Sequence, residues 1–259
     1  MSIRGILFDQ DGVIIDTERD GHRVAFNRAF REMGFSAQWD PDEYHRLLQT
    51  AGGKERLRAY LREKGFGRPV PPAEEDAVIA RLHARKTDLF LQLLESGALP
   101  LRPGIRRFME EASGLGLVLG VCTTSNERAA RAVTGTILGS IRFDVVLAGD
   151  IVEKKKPDPE IYLLAMRRTG LAPRECIIVE DSRIGVEAAK RAGSFVVATT
   201  NAYTEREELG DADIVVTCLG DPDGERGILR HGFLGMPYDG VLSARQLVEY
   251  FDSRPPAAR

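Results

Sequence analysis

The chain carries a series of short apolar runs rich in Val and Ile, none with polar alternation. Ile3–Phe8 is the first and ends in Asp9-Gln10-Asp11-Gly12. Leu117–Cys122 leads into Thr123-Thr124-Ser125-Asn126, and Val145–Ala148, Ile177–Val179, Phe195–Ala198 and Ile214–Val216 follow. Runs of this kind suit strands covered on both faces, as in a parallel sheet. Helical spacing fills the intervals, at Ile105–Ser113, Glu127–Leu138, Pro159–Thr169 and Ser182–Ala192. This strand–helix–strand order predicts a doubly wound α/β domain.

The long interval between Phe8 and Leu117 breaks the rhythm. It holds no strand pattern, but Thr17–Met33, Tyr44–Leu48, Lys54–Lys64 and Ala73–Leu94 have helical spacing, and Gly65–Pro72 reads as a loop. A helical insertion after the first strand is expected, with residues 17–96 forming a cap on a core of residues 1–16 and 97–259. Its hinges fall at Asp16–Glu18 and near Gly97–Gly104. Leu242–Phe251 reads as a closing helix, and the Pro255-Pro256 tail is expected to fray. A length of 259 residues accommodates such a division.

Composition removes several function classes. With 43% hydrophobic and 29% charged residues the chain resembles an ordinary globular protein. A net charge of −3 gives no basic excess for a nucleic-acid or membrane surface. Cys122, Cys176 and Cys218 are odd in number and widely spaced, which predicts buried free thiols in a reducing compartment. No leader pattern or membrane-length apolar stretch is present. The expectation is a cytoplasmic monomer, or a plastid stromal one if a transit segment has been removed.

In an open parallel sheet, ligands bind beyond the carboxyl ends of the strands. The polar residues collect there. Asp9 and Asp11 follow the first run, Thr123 the second, Lys156 the third, and Glu180 and Asp181 the fourth. Four acids at one rim are costly unless a cation neutralises them. A hard cation is expected, and Mg2+ suits phosphate chemistry. An isolated Asp-x-Asp-Gly would equally suit a capped turn. Lys156, on the loop before Pro157-Asp158-Pro159, can balance the acids and neutralise phosphate oxygens. Lys154 and Lys155 read as solvated charges. Thr123 offers a hydroxyl, and the backbone N–H groups after it open a helix.

Together, Asp9-Gln10-Asp11-Gly12-Val13, Thr123, Lys156-Pro157 and Glu180-Asp181-Ser182 resemble the four motifs of the haloacid dehalogenase superfamily. The resemblance covers nearly the whole chain and implies a Rossmann-like core with a helical cap, as in the β-phosphoglucomutase and phosphoglycolate phosphatase branch. It implies Asp9 as nucleophile and Mg2+ ligand. Asp11 becomes the general acid and base, binding Mg2+ through its carbonyl. Thr123 and Lys156 hold the phosphoryl group, and Asp181 completes the metal ligands. Phosphoryl transfer is favoured over dehalogenation because the second aspartate, Asp11, is present. Gln10 stands where a small apolar residue is more usual, and its side chain is expected to point away from the metal.

The cap should select the substrate. Gly52-Gly53-Lys54-Glu55-Arg56 looks like an anion-binding turn at a helix start, with a solvated glycine loop as the competing reading. With Thr17-Glu18-Arg19-Asp20-Gly21-His22-Arg23 and His83-Ala84-Arg85-Lys86-Thr87, it resembles the cap of Rubisco-associated xylulose-1,5-bisphosphate phosphatases. That likeness implies sugar-bisphosphate contacts from Glu18, Gly52, Gly53, Lys54, Glu55, Arg56, His83, Arg85, Lys86, Thr123, Thr124, Ser125 and Asn126. His22 and Tyr44 are further candidates. A phosphosugar mutase, a phosphoglycolate-type phosphatase and an idle binding module are the alternatives. The last should have lost an aspartate or the lysine, yet Asp9, Asp11, Lys156 and Asp181 are all present.

Overall fold

The computed structural model describes residues 2–232, 235 and 237–253. The expected fraying of Pro255-Pro256 lies outside them. The chain begins with strand β1 (Gly5–Phe8), then four helices: α1 (Arg23–Glu32), α2 (Pro41–Leu48), α3 (Gly53–Glu63) and α4 (Glu75–Glu95). Next come α5 (Ile105–Gly114), β2 (Val118–Cys122), α6 (Glu127–Ala132), β3 (Val145–Leu147), α7 (Glu160–Thr169), β4 (Cys176–Glu180), α8 (Arg183–Arg191), β5 (Phe195–Thr199), β6 (Ile214–Val216), β7 (Leu229–His231) and α9 (Ala244–Asp252). No described helix is long and apolar enough to cross a membrane.

The strands form one sheet in the order β3-β2-β1-β4-β5-β6-β7. All neighbours run parallel except β6 and β7. β1 lies centrally, with Gly5 opposite both Val118 and Cys176. Its four residues are all buried, and they divide between two layers. Ile6 and Phe8 join one apolar cluster with Phe108 of α5, whereas Leu7 joins another with Tyr162 of α7 and Val186 of α8. Double coverage is why the strand runs lack alternation.

The inserted helices have an aromatic interior. The Trp39 ring is fully buried between Phe26 and Phe30, with centroids 4.7 and 5.1 Å away. Asn27 clamps the Trp39 backbone, donating to its carbonyl and accepting from its N–H, both at 2.8 Å. Asp40 caps α2 by accepting from the Glu43 N–H.

Three features differ from the sequence expectations. The helix expected over Thr17–Met33 is a π-helical turn at Glu18–His22 followed by α1. The helix expected over Glu127–Leu138 likewise passes from α6 into a π turn at Val133–Ile137. Strand β7 was not foreseen, because a three-residue, mostly exposed antiparallel edge has no apolar run to betray it. The closing helix α9 does form, with Ser243 and Gln246 in a capping box. Cys122, Cys176 and Cys218 are free and buried, as expected.

Candidate active site

Asp9 extends the ladder of β1 by donating its N–H to the Val179 carbonyl at 2.9 Å, so its side chain leaves the carboxyl end of the central strand. The backbone then turns at Gly12, whose φ of +86° favours glycine. The position also needs space: a Cβ there would lie 2.0 Å from Asp181 Oδ2. β4 delivers Glu180 and Asp181 from the adjoining strand end. Carboxylate oxygens of Asp9, Glu180 and Asp181 lie within 4.8 Å of one another, and all three residues are buried.

Lys156 enters from the loop between β3 and α7 and is followed by a cis bond to Pro157. Its ammonium donates to Asp9 Oδ1 at 2.5 Å, Glu180 Oε1 at 2.6 Å and the Cys122 carbonyl at 3.2 Å. The Tyr162 hydroxyl also donates to Glu180 Oε1. Glu180 is therefore already satisfied, whereas Asp9 and Asp181 keep acceptor capacity. Burial pushes the Asp9 carboxyl up to about 8 despite Lys156, with the charges of Glu180 and Asp11 acting in the same direction. Burial also drives Asp181 well above its ordinary value, reinforced by Glu180 and Asp9. Burial alone would lower Lys156, but the charges of Asp9 and Glu180 hold it above the usual lysine range. This oxygen-only, charge-starved set fits a hard divalent cation such as Mg2+.

The Asp11 carboxylate turns away from that cluster, towards the inserted helices. It accepts from Thr17 Oγ1 at 2.6 Å, from His22 Nε2 at 2.9 Å and from Ser125 Oγ. Burial opposes its charge, but His22, Ser125 and Thr17 hold its carboxyl well below the usual range. His22 is held in turn by Lys86, whose Nζ lies 2.9 Å from His22 Nδ1. An ammonium has donors only, so His22 Nδ1 accepts and Nε2 carries the proton shared with Asp11. Burial lowers Lys86 to about 8, which leaves it largely protonated at neutral pH.

A cavity opens between the strand ends and the inserted helices. Asp9, Asp11, Thr123, Thr124, Ser125, Asn126, Lys156 and Asp181 line it from the core, and Glu18, Gly52, Gly53, Arg56, His83 and Lys86 from the insertion. His22 lines it as well. Tyr44 donates to Glu18 Oε2 at 2.5 Å and accepts from Arg56 Nη1 at 2.9 Å, bracing both charges. Burial, with the charges of Lys86 and Lys54, lowers His83 to about 3 and keeps it neutral. Both loop glycines are needed for close approach of side chains. A Cβ on Gly53 would lie 2.8 Å from the His83 ring, and one on Gly52 would lie 2.1 Å from Glu55 Oε2.

Of the sugar-bisphosphate contacts expected from the sequence, Lys54, Glu55 and Arg85 do not line this cavity, and nor does the further candidate Tyr44. Lys54 pairs with Asp150 at 2.5 Å and lines an adjoining cavity. Glu55 pairs with Lys155 at 2.9 Å. Arg85 pairs with Glu32 at 2.5 Å. Lys155 itself departs from the solvated charge expected: its side chain is 13% exposed and bridges Glu55 and Asp150. Gln10 is fully buried and lines neither cavity. Asn201, Tyr203 and Glu207, which belong to no motif in the sequence, also line the cavity around Asp9. They follow β5, so the strand-end rule that located Asp9 and Lys156 applied to them too.

A family model for haloacid dehalogenase-like hydrolases matches residues 3–193. The chain belongs to this family. It is 46% identical over 225 residues to a CBBY-like protein of Arabidopsis thaliana, covering 85% of this chain and 70% of that one. It is 40% identical over 231 residues to protein CbbY of Cereibacter sphaeroides, covering 87% of this chain and 96% of that one. Among solved structures, a CbbY mutant from Rhodobacter sphaeroides in complex with xylulose-(1,5)bisphosphate superposes with a TM-score of 0.78 at 40% identity. That match covers 83% of this chain and 94% of the other. This member of the haloacid dehalogenase family is a phosphoric monoester hydrolase.

Proposed function

We propose that the protein is a Mg2+-dependent phosphatase that removes the 1-phosphate of xylulose 1,5-bisphosphate, giving xylulose 5-phosphate and sparing Rubisco an inhibitor. The observation carrying the chemistry is the bridge from Lys156 to both Asp9 and Glu180 inside a buried acid cluster. The substrate rests on likeness to CbbY, solved with that bisphosphate.

Residues 17–96 act as the cap and the remainder as the core. Asp9, Asp181 and the Asp11 carbonyl hold Mg2+, which supplies charge neutralisation on the phosphoryl oxygens. An Asp9 carboxylate oxygen attacks phosphorus, and the bond to the sugar oxygen breaks. Asp11 gives that oxygen its proton, yielding xylulose 5-phosphate and phospho-Asp9. Water then attacks the phosphoryl group while Asp11 accepts its proton, releasing phosphate and restoring Asp9. Thr17, His22 and Ser125 favour the carboxylate form of Asp11, which is the form the second step uses. Lys156 and Thr123 hold the phosphoryl oxygens. Glu18, Arg56, His83 and the Gly52–Gly53 backbone hold the rest of the substrate. Lys54 and Glu55 pair with Asp150 and Lys155 of the core and act through the closing of the cap, whereas Arg85 pairs with Glu32 inside the cap and supports its fold.

Phosphate release with Mg2+ tests this, using xylulose 1,5-bisphosphate, ribulose 1,5-bisphosphate, phosphoglycolate and β-glucose 1-phosphate. Preference for xylulose 1,5-bisphosphate is expected, and Arg56→Ala should weaken it selectively. Equal turnover of the monophosphates, untouched by Arg56→Ala, would sink the bisphosphate assignment. Isomerisation of β-glucose 1-phosphate would instead identify a mutase.

A further inference from the structure

Asn201 follows β5 at the same rim as the acid cluster and is 8% exposed. Its Nδ2 donates to Asp181 Oδ2 at 2.6 Å. Its Oδ1 accepts from the backbone N–H groups of Tyr203 at 2.9 Å and Thr204 at 3.2 Å. Those two donors settle which end of the amide faces Asp181. A flipped amide would aim its NH2 at two N–H groups and its oxygen at a carboxylate. The residue's own backbone is also pinned, because its N–H donates to Thr204 Oγ1 at 3.0 Å and its carbonyl accepts from Glu205 N at 2.9 Å.

We infer that Asn201 is a positioning residue for the metal site, holding one oxygen of Asp181 so that the other is presented to a divalent cation. The inference rests on the Mg2+ part of the proposed function. An amide is suited to this task because it is neutral. A lysine at the same place would fix the carboxylate but offset its charge, as Lys156 does for Glu180. The amide restricts the rotamer of Asp181 and leaves a full negative charge for the metal. Gly12 completes the arrangement. A Cβ there would lie 2.0 Å from Asp181 Oδ2 and 2.8 Å from Asn201 Nδ2, so the Asp-x-Asp-Gly turn needs its glycine partly to admit this hydrogen bond.

The test is Mg2+ binding to metal-free protein without substrate, by titration calorimetry, with thermal unfolding of the same samples. Asn201→Ala should raise the Mg2+ dissociation constant by about 10–100-fold. Asn201→Ser keeps a hydroxyl that can satisfy the loop N–H groups but cannot span to Asp181, so it should weaken Mg2+ comparably while preserving the fold. Thr204→Val loosens the same loop without touching the amide. It should lower the melting temperature and leave Mg2+ affinity at the wild-type value. Wild-type affinity in the Asn201→Ser protein would overturn the inference, as would a loss in Thr204→Val equal to that in the Asn201 variants. A wild-type protein that takes up no Mg2+ would overturn the metal reading itself, a result separable from the other two.

Discussion

Two buried carboxylates share the ammonium of Lys156, and removing it would leave Asp9 and Glu180 close together without their cation. Breaking a buried pair from one side costs about 3–5 kcal/mol, since the remaining charge stays desolvated. Lys156→Met should therefore lose both stability of that order and turnover, measured by urea unfolding and by phosphate release. Near-normal turnover would show that Lys156 does not touch the phosphoryl group. His83 makes a different prediction. Its folded value of about 3 lies below the ordinary 6.5, so the unfolded chain binds a proton between those limits and the folded one does not. Stability is then complete above the unfolded value and falls as pH drops towards the folded one, by about 1.4 kcal/mol per unit. Unfolding midpoints measured from neutral pH downwards should decline more steeply for wild type than for His83→Gln. Parallel curves would mean that His83 is solvated in solution.

At the scale of elements, polar contacts fasten the inserted helices to the core. Lys155 joins Glu55 at 2.9 Å and Asp150 at 3.0 Å, Gln49 donates to Glu207 at 3.0 Å, and Arg128 pairs with Asp88 at 2.7 Å. Lys155 is the best shielded of these cations and so the least screened by salt. Each contact contributes about 1 kcal/mol or less, too little to decide folding but enough to bias the cap closure proposed above. Lys155→Ala should raise KM by about fivefold with little change in melting temperature, because 1 kcal/mol is roughly that factor. A large fall in melting temperature with unchanged KM would assign Lys155 to the fold instead. This clasp was not legible in the sequence. Lys156 stands apart in the sequence by its place before Pro157, but Lys154 and Lys155 read alike as solvated charges, and only tertiary placement separates the solvated one from the clasping one. The strands were legible because double coverage writes itself as an unbroken apolar run. The π turn at Glu18–His22 was not, since its side-chain spacing differs little from that of an α-helix.

Across the whole molecule, the site is assembled by topology. Asp9, Thr123, Lys156 and Asp181 are far apart in sequence, yet parallel strands deliver them to one rim, which is why strand ends alone located them. The same rule pointed to Asn201 and was not followed past the fourth strand. Burying so much acid ties stability to pH and, through the proposed metal site, to Mg2+. Asp9 is raised to about 8 in the folded protein against an ordinary value of 3.8, and Asp181 is raised as well. Without a cation, the folded state holds protons across that window that the unfolded chain releases. The associated stability is present below the unfolded value and is lost as pH rises through the folded one. At the proposed metal site Mg2+ would replace those protons, so its stabilising effect should grow as pH rises from about 5 to about 8. Melting temperatures recorded with EDTA and with excess Mg2+ across that range should diverge towards the alkaline end. A constant separation would mean that the carboxylates are already ionised in the metal-free protein. Asp9→Asn should shrink the divergence, since an amide needs neither proton nor metal to remain buried.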